Sequence, residues 1–326
     1  MNKKNQKRLT DQGFTLVELL VAMLISLVVM GAIFLTFKSQ QDSYIIQDQI
    51  TATQQNLRSA MYILTRDIQM AGYYTNFDAD QFTMDWDDLD GDNEIIRPLI
   101  YARNNVADGG GDNIKDNTDV IVIVKASDVR HTLAVGEDAT AGTITLASRD
   151  FDADGDDDLN NTTRRYGLLV KEDLSTAEFF EVDSASGAIN PPGGLTQNYG
   201  AGDLICRADI IIYRIDEDVN NPSLRKRNLG SDNPVNPYQV VAENIDNLQF
   251  RYLLSNGTWT NDPSATGQEP NVRAVEISLL ARTANTNRGY TDTNTYNIGD
   301  NPNPTPNDAY RRKLLCSIVK TRNIGL

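Results

Sequence analysis

The chain has 326 residues, with 30 Lys and Arg against 45 Asp and Glu, and a formal charge of −15 at pH 7. This length allows one large or two ordinary domains with a sizeable core. Its 40% hydrophobic and 23% charged residues are typical of a folded protein rather than a disordered one. The negative charge disfavours nucleic-acid binding by the body of the protein, because phosphate contacts need clustered Lys and Arg.

The amino-terminal part differs from the rest of the chain. Its first 13 residues are basic, and residues 14–37 form an apolar run in which Glu18 is the only charge. About 20 apolar residues cross the hydrocarbon core of a membrane, so residues 14–37 are predicted to be a transmembrane helix. The preceding basic residues indicate a cytoplasmic amino terminus. A cleaved secretory signal is the alternative, but no small-residue cleavage site of the A-x-A kind follows Phe37.

Glu18 is the feature that an ordinary membrane anchor leaves unexplained, because a carboxylate in lipid is costly unless it is paired. The stretch "GFTLVE", residues 13–18, resembles the class III signal of type IV prepilins. The resemblance implies a leader at residues 1–13, cleavage between Gly13 and Phe14 by a prepilin peptidase, and N-methylation of Phe14. The new ammonium group of one subunit could then pair with Glu18 of its neighbour during assembly.

Helical periodicity continues beyond the membrane length, over residues 38–72, where an amphipathic extension is predicted. Gly72 is the expected stop. We expect the first half of this helix to lie in lipid or in a fibre core and the second half to pack on a globular domain. The apolar positions of the extension recur at roughly helical spacing: Tyr44, Ile45, Ile50, Leu57, Met61, Leu64, Ile68 and Met70.

Residues 73–326 change to strand-like segments separated by loops rich in Asp, Asn, Gly and Pro. No second long helical pattern appears, so we expect an α+β fold in which a mainly antiparallel sheet wraps against the second half of the helix. The predicted strands are residues 119–126, 142–148, 166–172, 178–183, 203–215, 247–254, 272–282 and 313–322.

Four later segments narrow the resemblance to the PilW family of minor pilins: "LTRDIQMAGYY", "AENIDNLQFRY", "VRAVEISLLART" and "YRRKLLCSIVKTRNIGL". The resemblance implies a type IV pilin-like fold and a subunit that primes or joins a type IV pilus for motility, adhesion or DNA uptake. It implies other major and minor pilins and the inner-membrane assembly machinery as partners. The body would be periplasmic at first and later at the cell surface. A minor pseudopilin of a type II secretion system is the alternative that shares the same helix and cleavage.

Two acidic stretches, "DLDGDNEI" and "DADGDDDL", share a D-x-D-G-D pattern typical of the first half of an EF-hand calcium loop. The bidentate acid at the twelfth position is missing, since Leu99 and Thr163 stand there. One prediction is that at least one of these loops binds calcium, which would suit a calcium-dependent adhesin module. The alternative is that both stretches are solvated acidic turns. The protein is not expected to require a cofactor. The candidate ligands are Asp88, Asp90, Asp92, Glu94, Asp152, Asp154, Asp156 and Asp158.

Cys206 and Cys316 lie in separate predicted strands, and a disulfide between them is plausible in an oxidising compartment. Two buried free thiols are the alternative. Enzyme chemistry is not expected, because His131, placed at a predicted loop edge, is the only histidine. The sequence also contains no G-x-S-x-G motif and no phosphate-binding loop.

Overall fold

The computed structural model describes residues 14–74, 82–84, 94–96, 99–106, 113–140, 143–153, 155, 157–159, 166–182, 189–190, 195, 197–218, 221–229, 238–302 and 306–324. The chain divides into two compact units, Met1–Ile50 and Thr51–Leu326. The predicted leader, residues 1–13, lies outside the described residues.

One continuous helix, α1, runs over Leu16–Met70 and spans the predicted boundary at residues 37 and 38. It ends where the sequence predicted. Gly72 has a φ of 74° and donates its N–H to the carbonyl of Val124 at 3.0 Å. A left-handed residue just past a helix terminus is the usual position of a glycine. The helix is therefore stopped by backbone geometry and is joined at once to the sheet.

In the described residues, eighteen strands follow the helix. The first nine are β1 Phe82–Met84, β2 Glu94–Ile96, β3 Ile100–Val106, β4 Thr118–Thr132, β5 Asp138–Thr140, β6 Thr143–Thr145, β7 Tyr166–Val170, β8 Ala177–Val182 and β9 Ile189–Asn190. The others are β10 Leu204–Asp216, β11 Ser223–Asn228, β12 Gln239–Glu243, β13 Ile245–Leu254, β14 Trp259–Thr260, β15 Val272–Arg282, β16 Asn297–Ile298, β17 Asn301–Pro302 and β18 Arg312–Lys320.

The strands form two main sheets rather than the single sheet expected. Eight strands make the first, in the order β12-β11-β10-β7-β8-β9, with β4 paired to β10 and β3 paired to β4. Four strands make the second, in the order β14-β13-β15-β18. Every strand pairing in the described residues is antiparallel. The α+β class is therefore confirmed. His131, expected at a loop edge, lies instead within β4.

The main core brings both sheets against the helix. In the second half of α1, Leu57, Leu64 and Ile68 are buried in one cluster with residues of both sheets. These side chains are spaced seven and four residues apart, so they lie on one face of the helix, and strands of both sheets pack against that face. The first sheet contributes Ile121, Ile123, Ile211, Tyr213 and Ile215, and the second contributes Leu248, Phe250, Val275, Ile277 and Leu279.

A polar contact also holds the helix to the first sheet. The buried carboxylate of Asp67 accepts a hydrogen bond from the hydroxyl of Tyr213 on β10 and another, at 2.6 Å, from Lys226 on β11. Burial, and then the nearby charge of Asp67, raise the pKa of Tyr213 above its ordinary value. Asp67 lies in the "LTRDIQ" segment, so part of that segment serves to fix the helix on the sheet.

Candidate functional site

The start of α1 forms a capping box around Glu18. Its Oε2 atom accepts hydrogen bonds from the backbone N–H and from the hydroxyl of Thr15, both at 2.9 Å. In return, the Glu18 N–H donates to the Thr15 hydroxyl at 3.3 Å. A Thr followed three residues later by Glu is the sequence signature of this arrangement, in which each side chain satisfies a backbone N–H that the helix leaves unpaired. Sequence reasoning missed Thr15, although this spacing could have found it.

The capping box gives Glu18 a partner within its own chain, so the carboxylate is already partly paired before any other subunit is present. The carboxylate also lies at the positive end of the helix dipole. Among the described residues, nothing donates a hydrogen bond to its other oxygen, Oε1. Phe14 lies one residue before Thr15 and is 88% exposed, whereas Gly13 is outside the described residues. One oxygen of Glu18 is thus used by the cap, and the other is open to a donor from outside the chain.

The apolar run is exposed along its whole length in the isolated chain. Its large apolar side chains, from Phe14 to Phe37, are all more than half exposed. The helix is long and apolar enough to cross a membrane. The hydroxyl groups of Ser26 and Thr36 are satisfied without water, because they donate to the carbonyls of Ala22 and Ala32 at 2.8 and 3.0 Å. Such internal pairing is what a helix in lipid requires.

The second acidic stretch brings three carboxylates together. One oxygen atom from each of Asp150, Asp152 and Asp158 lies within 4.8 Å of the other two. Asp150 was not among the predicted ligands. Counting the loop from Asp150 rather than Asp152 places Gly155 at the sixth position, where an EF-hand loop has its invariant glycine. Gly155 has a φ of 96° and donates its N–H to Asp150 at 3.0 Å.

Part of the charge in this loop is already offset. Asp158 is 1% exposed and accepts the N–H of Phe151 at 2.7 Å. The guanidinium of Arg207, on β10, lies 3.6 Å from the other oxygen of Asp158. Asp154 and Asp156 lie outside the described residues, as do Asp88, Asp90 and Asp92 of the first stretch. Glu94 lies in β2, and its side chain is not among those described.

The predicted disulfide is wrong for this structure, in which Cys206 and Cys316 are both free. Cys206 is buried in β10 of the first sheet, and burial raises the pKa of its thiol to about 12. Its Sγ lies 3.7 Å from the carbonyl of Leu168. Cys316 is exposed on β18 of the second sheet, with the Ser278 hydroxyl 3.4 Å from its Sγ. The two cysteines lie in strands of different sheets, so each thiol packs among the residues of its own sheet.

Two segments that carried the family resemblance meet in a buried ion network. Arg312, at the start of β18, donates to Asp246 at 2.6 Å and contacts both oxygens of Asp308 at 2.6 and 2.7 Å. Asp292, which is fully buried, lies 3.4 Å from the same guanidinium. The hydrogen bonds from Arg312 hold the pKa of Asp308 below its ordinary value. These residues therefore connect β13 and β18 to the segment between β15 and β16, through Asp292, and to the loop between β17 and β18, through Asp308.

Two parts of the chain match models of known protein families. Residues 8–34 match the prokaryotic N-terminal methylation motif, and residues 212–323 match the family described as Type IV Pilus-assembly protein W. Both matches fall on segments that carried the resemblance, and they confirm it. Among solved structures, a type IV-like pilin from Thermus thermophilus matches with 12% identity over 83% of this chain and 97% of that chain, with a TM-score of 0.37. No curated protein matches the chain.

Proposed function

Because this chain is a type IV pilus-related pilin that joins a methylation motif to a PilW region, we propose that it is a minor pilin. In this proposal a prepilin peptidase cuts between Gly13 and Phe14 and methylates Phe14, and the mature subunit primes or joins a type IV pilus. The observation that carries the proposal is the continuity of the motif with a membrane-length apolar helix and, further along the same chain, with the PilW region. The role is structural rather than catalytic.

The mechanism follows from the exposed apolar half of α1. The helix is held in the inner membrane, with the body of the protein in the periplasm, until assembly draws it among the helices of other pilins. Its exposed apolar side chains exchange lipid for neighbouring helices during that step. Oε2 of Glu18 keeps its place in the capping box, and Oε1 accepts the ammonium group of a neighbouring subunit. The carboxylate thereby sets the register between subunits.

Processing is tested by the mass of the protein in membrane fractions. We expect loss of residues 1–13 and the addition of one methyl group at Phe14. An unprocessed amino terminus in cells with an active peptidase would contradict the proposal.

Assembly is tested by comparing Glu18→Gln with Glu18→Ala. Glutamine can still accept a hydrogen bond in the capping box, but it carries no charge, whereas alanine removes both features. We expect both variants to be processed and both to be strongly depleted from sheared fibres. A conservative Thr15→Ser variant, which keeps the cap, is the matched control and should enter fibres normally. If Glu18→Gln enters fibres like the parent protein, the cap and not the charge is what assembly needs.

The description of the matched family favours a pilus over a secretion system. Deletion of the gene distinguishes the two. We expect loss of surface pili with normal protein secretion, whereas a pseudopilin would give the opposite result. The tip or priming position is tested by immunogold labelling, which should mark fibre ends rather than shafts.

We further propose that the loop from Asp150 to Asp158 binds calcium on the body of this pilin. Three carboxylates within 4.8 Å of one another and a glycine at the sixth position of the loop support this proposal. Calorimetry of the full chain in detergent tests it. Asp152→Asn should weaken calcium binding, and Asp128→Asn, an exposed aspartate on β4, is the matched control. Equal binding by both variants would remove this loop as the site.

A further inference from the structure

A cavity of about 270 Å³ lies beside β3, where this strand of the first sheet meets the segment that follows β14. Its lining comprises Tyr101, Arg103 and Asn104 from β3 and Asp262 and Ser264 from that segment, together with two alanines. Among the described strands, β3 pairs only with β4, so its other side would be an open sheet edge without this segment. Two parts of the chain that are far apart in sequence therefore form the walls of the cavity.

Hydrogen bonds within the chain hold both walls in place. The Ser264 hydroxyl oxygen accepts the backbone N–H of Ala102 at 2.9 Å, which ties the segment to the edge of β3. One oxygen of Asp262, Oδ1, accepts the N–H of Ala265 at 2.9 Å. The side chains of Asp262 and Ser264 are thus positioned before any ligand arrives, and groups that are already ordered lose less entropy on binding.

These contacts leave hydrogen-bonding capacity in the lining. Within the described residues, Oδ2 of Asp262 receives no hydrogen bond and the hydroxyl of Ser264 donates none. A carboxylate oxygen can only accept, whereas a hydroxyl also has a proton to donate. The guanidinium of Arg103 adds further donors to the same lining. The cavity therefore combines an acceptor with donors, all from side chains that are only partly buried.

The charges of the lining select against ionic ligands. Arg103 and Asp262 are the two charged residues that line the cavity, so the lining is neutral overall. A metal ion would be repelled by the guanidinium, and an anion would be repelled by the carboxylate. A neutral ligand whose polar groups both donate and accept hydrogen bonds makes favourable contacts with both residues.

The size of the cavity and its aromatic residue restrict the ligand further. The share of liquid volume per water is about 30 Å³, so the cavity corresponds to about nine waters, which is room for one small ring. Drug-sized ligands occupy larger pockets. Tyr101 is half-buried and packs against the buried cluster that contains Val122 and Ile212. Its ring is an apolar surface against which the C–H groups of a saturated ring can pack.

We propose that this cavity binds one neutral sugar ring of hexose size. Asp262 accepts hydrogen bonds from the sugar hydroxyls, Ser264 and Arg103 donate to sugar oxygens, and Tyr101 contacts the C–H face. A few polar groups placed in this way orient a ligand and determine specificity. The inference goes beyond the proposed pilin function, because it gives the body of the subunit a binding activity that does not depend on assembly.

The test uses the full chain in a detergent without a sugar head group, and EDTA is present to exclude binding through calcium. The probes are the methyl glycosides of galactose, glucose, mannose and N-acetylglucosamine, measured by saturation-transfer NMR. We expect at least one of them to bind with a millimolar Kd. Asp262→Asn keeps an oxygen for the N–H of Ala265 but removes the charged acceptor, so it should weaken binding by about tenfold.

A matched control lies in the turn between β7 and β8. Asp173 is exposed and also accepts a backbone N–H within its turn, from Ser175 at 2.9 Å. Asp173→Asn therefore removes the same charge from a similar turn, and it should leave the affinity for the glycoside unchanged. Equal affinity in the Asp262→Asn and Asp173→Asn variants overturns the proposal.

Two further outcomes decide the ligand class. If the folded parent protein binds none of the four glycosides at tens of millimolar, the proposal is overturned. Acetate and ethylamine serve as charged probes, and displacement of the glycoside by either one at equal concentration overturns the choice of a neutral ligand. Folding is checked by near-UV circular dichroism. If Asp262→Asn does not fold, Arg103→Gln replaces it and should also weaken binding. Processing and fibre entry are not involved, so failure here leaves the pilin proposal untouched.

Discussion

The ion network around Arg312 offers the sharpest test of what holds the body of this protein together. The side chain of Arg312 is 5% exposed and contacts Asp246, Asp292 and Asp308. Arg312→Met keeps much of the apolar stem and removes the charge. Asp246 would retain Lys115 at 2.9 Å, but Asp292 is fully buried and would lose its nearest cation. Leaving a buried charge without its partner costs about 3–5 kcal/mol, and we expect this loss in the free energy of unfolding.

Thermal unfolding of the full chain in detergent, followed by circular dichroism, measures the effect. A loss of this size should lower the midpoint by roughly 6–20 °C for a body of this length. Arg312→Lys should fall between the parent and the Met variant, because an ammonium keeps the charge but cannot contact both oxygens of Asp308 in a planar fork.

A matched control lies on the same sheet. Arg251 on β13 is 42% exposed and pairs with Glu276 at 3.3 Å. Exposed pairs of this kind contribute about 0–1 kcal/mol, so Arg251→Met should hardly change the midpoint. If Arg312→Met proves no more destabilising than Arg251→Met, burial does not make the network important and the reasoning is refuted.

Three further predictions concern other buried polar groups. Asp119 has a folded-state pKa of about 7, above its ordinary value. Its neutral form therefore favours folding, and this contribution is lost as the pH rises from about 4 to about 7. The stability of the parent relative to Asp119→Asn should accordingly fall between pH 4.5 and pH 8 in calcium-free urea titrations; a constant difference would contradict the raised pKa. Tyr213→Phe removes the hydroxyl that donates to Asp67 and should cost about 1.5–3 kcal/mol, measured by the same unfolding. In the native protein, a maleimide should label the exposed Cys316 quickly and the buried Cys206 only after unfolding, and equal labelling would argue against the burial of Cys206.

The sequence predicted the elements that depend on neighbouring residues. The 3.6-residue periodicity and the absence of proline predicted α1, and Gly72 predicted its end. Alternating patterns predicted the strand Val272–Arg282 at its observed bounds. The other strands were missed, among them β3, β11 and β12. Strand β11, for example, reads "SLRKRN" and carries too few apolar residues to indicate a strand. It is held as a strand by antiparallel pairing with both β10 and β12, and its own apolar pattern does not indicate this.

The sequence also revealed the processing motif and Glu18, because a glycine, a phenylalanine and an acid at fixed spacing before an apolar run are all local features. It did not reveal that Thr15 already pairs with Glu18. It marked the acidic loop from Asp152 onward but not Asp150, because only the folded loop brings Asp150 beside Asp158.

By itself, then, the chain specified a pilin-type helix, its start and stop, and eight of the eighteen strands in the described residues, since each depends on residues a few positions apart. Only the tertiary structure decided that the strands divide into two sheets, that the cysteines lie in different sheets, and that Arg312 and Asp246 meet. The same holds for Asn104, Asn105 and Asn261, whose side-chain amides all donate to Asp300. These outcomes depend on contacts between residues far apart in sequence. Burial of the helix and the pairing of charges stabilise those contacts, and no local sequence pattern predicts them.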